Sequence, residues 1–250
     1  MSPKLSSATT TDTGTGLPQG EAKVRAVRHM FDAIAGRYEL VNSLVSFGMD
    51  RGWRHRCIDA LSLPAASKVL DVACGTGDLC RELADRGHRP VGLDLSAGML
   101  AHAHTTAPLV LADGLAAPFC HAAFDGAVSG FALRNVVDLG ALFVELARMV
   151  RPGGRVSLLD LAEPQAALLR WGHRYWSNYA VPFVGSVLSD SEAYHYLPRS
   201  FAYLPPPAQV VKLLERAGFG AVEHELLSGG ISQLYIATRL PVPESGVRSS

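Results

Sequence analysis

Lys68-Val69-Leu70-Asp71-Val72-Ala73-Cys74-Gly75-Thr76-Gly77-Asp78 joins an apolar run to a turn containing two glycines, and an amphipathic run follows directly. That order predicts a strand, a tight turn and a helix. Gly75 and Gly77 can take backbone angles closed to other residues and place no Cβ between the main chain and a ligand. The N–H groups that open the next helix point over the same turn. A second apolar run, Pro90-Val91-Gly92-Leu93-Asp94-Leu95, carries an acid nineteen residues after Gly75. An acid at the tip of the neighbouring strand can accept hydrogen bonds from a ribose diol, so the pair reads as the nucleoside-binding half of an α/β sheet.

A dinucleotide fits less well. The pyrophosphate fingerprint asks for a third glycine where this chain has Cys80, and acidic Asp78 at the helix start would repel a pyrophosphate. A carboxylate there suits a ligand that carries positive charge.

Composition narrows the class. The chain has 250 residues, 48% hydrophobic and 18% charged, which describes a globular fold with a substantial core. Lys plus Arg and Asp plus Glu both number 23, so no nucleic-acid footprint is expected. Cys57, Cys74, Cys80 and Cys120 form no CxxC pair and are expected as buried thiols in a reducing compartment. His102-x-His104 and Cys120-His121 lack a matching second pair, so no metal site is expected. With no signal peptide and no run of about 20 apolar residues, the expectation is a soluble, cytoplasmic protein.

Along the chain, residues 1–20 are low in complexity and expected as a disordered leader, and 241–250 as a flexible tail. A single domain is expected over 21–240. Val24, Val27, Phe31 and Ile34 recur at helical spacing, and residues 21–62 are expected as a helical cap. Strands are expected at Leu109–Gly114, Phe124–Ser129 and Arg155–Leu161, with a helix from Leu139 stopped by Arg151-Pro152-Gly153-Gly154. Pro207–Ala217 reads as a helix, and Val222–Leu227 with Ile231–Thr238 as a hairpin that finishes the sheet. The expected fold is α/β: a mostly parallel seven-stranded sheet, helices on both faces and an antiparallel C-terminal hairpin. The stretch 163–205 breaks this rhythm. It holds nine of the nineteen aromatics and is expected as a lid or pocket wall for a flat apolar substrate.

The Gly75-Thr76-Gly77-Asp78 turn resembles the first motif of the Rossmann-like class I methyltransferases, which bind S-adenosylmethionine. The resemblance is more specific than that. Phe31-Asp32-x-Ile34-Ala35-x-x-Tyr38, Asn42, Ser46-x-Gly48, Trp53-Arg54, Leu133-Arg134-Asn135-Val136, Arg151-Pro152-Gly153-Gly154 and Ala193-Tyr194-x-Tyr196-Leu197-Pro198-x-Ser200 follow in order. Together they resemble the ubiquinone/menaquinone biosynthesis C-methyltransferases over residues 24–239. Glu39, Gly130, Ala132 and Asp160-Leu161 depart from the family pattern, which loosens the substrate more than the reaction.

The resemblance implies C-methylation of a lipophilic prenylated quinol, with demethylmenaquinol favoured over a ubiquinone precursor. It implies that Thr76, Asp94, Asp113, Gly114 and Gly130 hold S-adenosylmethionine, with Asp71, Gly75, Gly77 and Met99 completing the set. Arg134, Asn135 and Tyr38 are the acceptor-side candidates, Arg134 as stabiliser of a phenolate. Transient contact with a membrane surface and a homodimer are compatible with it. The rivals are a methyltransferase of this fold acting on another aromatic or isoprenoid metabolite, and a non-catalytic cofactor-binding protein.

Overall fold

The computed structural model describes residues 20–37, 46, 48–162 and 204–241. The expected lid at 163–203, Tyr38 and Asn42 lie outside them. The elements run α1 (Gly20–Ile34), α2 (Met49–Leu61), β1 (Lys68–Val72), α3 (Asp78–Asp85), β2 (Arg89–Asp94), α4 (Ala97–Ala101), β3 (Leu109–Leu111) and β4 (Phe124–Gly130). There follow α5 (Leu139–Met149), β5 (Val150–Leu161), α6 (Pro207–Arg216), β6 (Phe219–Leu227) and β7 (Ser232–Arg239).

The seven strands form one sheet in the order β3-β2-β1-β4-β5-β7-β6. The first five are parallel to their neighbours, and β7 runs antiparallel to both β5 and β6. Side chains alternate between the faces with the period of two that a pleated strand imposes. Leu70, Ala127, Val156 and Tyr235 join one core with α5 and α6, while Val69, Val128, Leu159 and Ile236 join the other with Trp53, Cys57 and Leu61 of α2. Those α2 residues share one face at four-residue spacing. Trp53 is buried and its indole N–H donates to Ser228 Oγ at 2.8 Å, the partner a buried indole requires.

Three expectations are corrected. Strand β5 begins at Val150, which pairs with Phe124; residues 151–154 then form an irregularity, Gly153 at φ +77°, and the ladder resumes at Arg155. The proline and glycines therefore interrupt a strand, where the sequence suggested a turn before it. Strand β6 begins at Phe219, three residues early, because a register shift between Gly220 and Glu223 hides its start from any alternation count. The C-terminal hairpin finishes the sheet as expected, with β7 between β5 and β6 and β6 at the edge. Cys57, Cys74 and Cys80 are buried as expected, but Cys120 is exposed because it lies in the loop before β4 and not on a core face.

Candidate active site

The sheet's direction of connection reverses between β1 and β4, and a crevice opens at the carboxyl ends of the strands there. The backbone is strained along its rim. Ala73 (φ 58°) follows β1 and Phe131 (φ 61°) follows β4, both in the left-handed region that residues with a Cβ seldom occupy. Gly75 (φ 55°) and Gly77 (φ 84°) finish the turn, and a Cβ on Gly77 would come within 2.7 Å of Thr105. Gly77 thus closes the turn and begins α3, whereas Gly75 faces the cavity.

The cavity encloses about 920 Å³ including its open mouth, with Gly75, Asp94, Met99, Asp113, Gly114 and Gly130 among its walls. Asp94 is the best organised of them. Its Oδ2 accepts from the Gly75 N–H and its Oδ1 from the Ser96 N–H, each at 2.8 Å, and each oxygen keeps a lone pair for a diol. Burial raises the Asp94 pKa despite these bonds. Ser96 caps α4 through Met99 N–H, and its hydroxyl in turn donates to Asp32 of α1 at 2.5 Å. Asp32 also accepts from Gly98 N–H at 3.0 Å, where a Cβ would meet the Asp32 backbone. Across the cavity Asp113 accepts from Leu115 N–H, a local turn that fixes Gly114 against Val72 and Leu142.

A smaller pocket adjoins the first, lined by Asp71, Gly75, Thr76, Asp78, Arg54 and Gly130. Asp71 is 1% exposed; Cys80 donates to its Oδ2 at 3.4 Å, and its Oδ1 has no partner among the described residues. Burial is the main cause that lifts its pKa from 3.8 to about 7, with the charges of Asp94 and Asp78 adding to it. Asp78 itself is not a free charge at the helix start. Arg54 reaches Asp78 at 3.2 Å, Asp50 at 2.7 Å and Glu82 at 3.0 Å, and Arg81 reaches Asp78 at 2.5 Å. Burial works against the Arg54 charge, and those carboxylates outweigh it and raise its pKa.

Asp71 makes a prediction about pH. A folded-state pKa of about 7 against 3.8 means the native protein binds the Asp71 proton more tightly than the unfolded chain. The resulting stability is full below about pH 4 and is lost as the pH rises through about 7. Melting curves of Asp71→Asn are expected to show a smaller fall in Tm over that window than wild type; an equal fall in both proteins would remove this account of Asp71.

Two of the acceptor-side candidates, Arg134 and Asn135, occupy a single 3-10 turn, Leu133–Asn135. Asn135 lines the large cavity, and its buried Oδ1 has no partner among the described residues. Arg134 is not in the cavity wall. Its guanidinium pairs with Asp160 at the end of β5, and its backbone N–H donates to the other oxygen of that carboxylate at 3.0 Å. Arg134 and Asp160 are 6% and 0% exposed. Lys23 of α1 is also buried here, donating to the carbonyls of Arg134 and Val136, and burial lowers its pKa to about 8.

Lys23, Asp32, Ser96 and Asp160 are site residues that the sequence did not single out as such. Lys23 had a signal: it stands four residues before Val27, a cation on the apolar face of a helix. Asp160 had one only in its departure from the family pattern.

S-adenosylmethionine fits what is present. An acid at the tip of β2 awaits a ribose diol, and Leu93, Leu115, Val136 and Leu142 offer walls for a flat base. The Asp71 oxygen that has no partner among the described residues lies in the adjoining pocket and suits an ammonium group. Strand order, glycine turn and acid together define a class I S-adenosylmethionine-dependent methyltransferase. Solved structures of this fold include a phosphoethanolamine N-methyltransferase from Haemonchus contortus in complex with S-adenosylmethionine, with a TM-score of 0.61 at 15% identity, covering 84% of this chain and 60% of that one. The [4+2]-cyclase SpnF is similar at a TM-score of 0.63 and 15% identity over 90% of this chain and 97% of its own, which shows the fold alone.

Residues 19–239 match the model of the ubiE/COQ5 methyltransferase family, and the chain belongs to that family. It is 37% identical to a demethylmenaquinone methyltransferase of Roseiflexus castenholzii, over 88% of this chain and 95% of the relative. It is 40% identical to one of Mycobacterium marinum, over 84% and 92%. It is 37% identical to a ubiquinone/menaquinone biosynthesis C-methyltransferase of Syntrophotalea carbinolica, over 85% and 93%. No helix among the described residues is long and apolar enough to cross a membrane.

Proposed function

We propose that the chain methylates a ring carbon of a prenylated quinol, converting demethylmenaquinol to menaquinol. The observation that carries this reading is the buried Asn135 amide oxygen in the wall of the donor cavity, without a partner among the described residues. It can accept a hydrogen bond from one phenolic O–H and so fix the ring's orientation. Menaquinone-type names among the relatives agree with it.

The bound sulfonium supplies an electrophilic methyl group. The protein's part is then alignment in a site shielded from bulk water. Asp94 and Asp113 anchor the nucleoside end, Asp71 the amino end, and the Gly75 turn lets the donor lie against the backbone. A ring carbon beside a phenol oxygen attacks far better once that oxygen has lost its proton. A guanidinium is not the group to act as base, so a water takes the proton. The ion pair of Arg134 with Asp160 holds the turn that carries Asn135. Stabilising a phenolate is a further part for Arg134, and it requires the quinol oxygen to come within reach of the same guanidinium. Tyr38 is kept as a third acceptor-side residue on the strength of the family resemblance. A prenylated quinol dissolves in lipid, so collecting it involves transient contact with a membrane surface.

A methyltransferase of this fold with another aromatic acceptor is the rival, and redox state separates the two. An oxidised quinone has no phenolic proton to lose. Labelled methyl transfer to demethylmenaquinone is therefore expected only after dithionite reduction. Equal rates with both forms, or no transfer to either, would favour the rival.

A further inference from the structure

Lys23 is an unusual residue to bury. Its ammonium Nζ lies 3.1 Å from the carbonyl oxygen of Arg134 and 2.9 Å from that of Val136, and the residue is 4% exposed. These two carbonyls flank Asn135, whose side chain lines the cavity. The helix that carries Lys23 also supplies Val24, Val27 and Phe31 to the same cavity. One helix is therefore fastened at both ends of the site: by Lys23 to the Leu133–Asn135 turn, and by Asp32 to Ser96 and Gly98 beside Asp94.

We propose that Lys23 is a positioning residue for methyl transfer, a clasp that fixes the Arg134–Val136 backbone so that Asn135 faces the acceptor while α1 closes over the donor. The inference rests on the quinol reading for its acceptor, but the clasp itself does not. A buried cation is tolerated only with its hydrogen bonds satisfied, and main-chain carbonyls are the acceptors that no rotamer change can remove. The contacts go to the backbone on either side of Asn135, 111 and 113 residues away in sequence, so the clasp sets where that side chain points. Loss of the proton leaves an amine with two N–H groups, enough for both bonds, so the clasp survives mildly alkaline conditions.

The test compares wild type with Lys23→Met, which keeps the length and loses the donors. Turnover with demethylmenaquinol is expected to fall about 10- to 100-fold, the usual consequence of a misplaced reacting group. Binding of S-adenosylhomocysteine by calorimetry should weaken much less. Hydrogen–deuterium exchange over residues 133–137 should accelerate. Rescue supplies the control: Lys23→Arg keeps a cationic donor head on a stem able to reach the same two carbonyls. Both turnover and slow exchange should return. Should Lys23→Met fail to fold, Lys23→Leu provides the same comparison with no donor kept.

Unchanged exchange over 133–137 would overturn the clasp whatever the acceptor. Faster exchange with normal turnover, or a Lys23→Arg protein that regains neither property, would reduce Lys23 to a structural residue and overturn the proposal. A wild-type enzyme silent with the quinol, alongside accelerated and rescued exchange, would overturn the acceptor and uphold the clasp.

Discussion

Arg134→Ala is expected to destabilise the protein by about 3–5 kcal/mol, the cost of leaving one partner of a buried ion pair uncompensated. The Asp160 carboxylate is 0% exposed and among the described residues would keep only its backbone donors, Arg134 N–H and Leu161 N–H. The effect should be visible as a large drop in the urea midpoint with little change in the slope. Arg134→Ala combined with Asp160→Leu should recover much of the loss, because no charge is then stranded. Arg134→Lys separates structure from chemistry. It keeps the charge but not the planar fork, so turnover should fall more than S-adenosylhomocysteine affinity does. Normal turnover in Arg134→Lys would leave the residue with its structural part alone.

Asp94→Ala is expected to weaken S-adenosylhomocysteine binding at least about tenfold, since a hydrogen bond to a charged acceptor is worth about 1.5–3 kcal/mol and the diol offers two. The same carboxylate holds the Gly75 and Ser96 N–H groups, so the variant also loses part of the loop's organisation. Asp94→Asn tests the two roles apart: it keeps one acceptor oxygen and should bind more tightly than Asp94→Ala. Burial places the Asp94 pKa above the ordinary value, so in the wild type affinity should weaken as acidity protonates it. Calorimetry showing equal affinity in wild type and Asp94→Ala would remove Asp94 from the site.

Much of the fold was legible because its signals are local. The turn from Val72 to Asp78, the acid at Asp94 and the alternation of strands with helices each follow from a few adjacent residues. The errors fall where distant pairing decides. A register shift masks the start of β6, and Val150 takes its partner from β4 across an irregular stretch.

The site divides in the same way. Asp94 ends β2, and Gly75 and Asp113 lie in the loops just beyond β1 and β3, so all three could be read from position. Asp32 and Lys23 act through contacts 64 to 113 residues away, and Asp160 meets Arg134 across 26. No periodicity reports such contacts. Arg134 shows the limit most clearly: its motif marks it as special, yet only the Asp160 partner shows how its guanidinium is held.

The central claim is the site of methylation. The direct measurement is incubation of the purified protein with reduced demethylmenaquinol and S-adenosylmethionine bearing a deuterated methyl group, followed by NMR and mass spectrometry of the product. The account predicts one labelled methyl on a ring carbon, in a product that oxidises to menaquinone. Label on a phenolic oxygen, or none in the lipid fraction while S-adenosylhomocysteine binds normally, would contradict it.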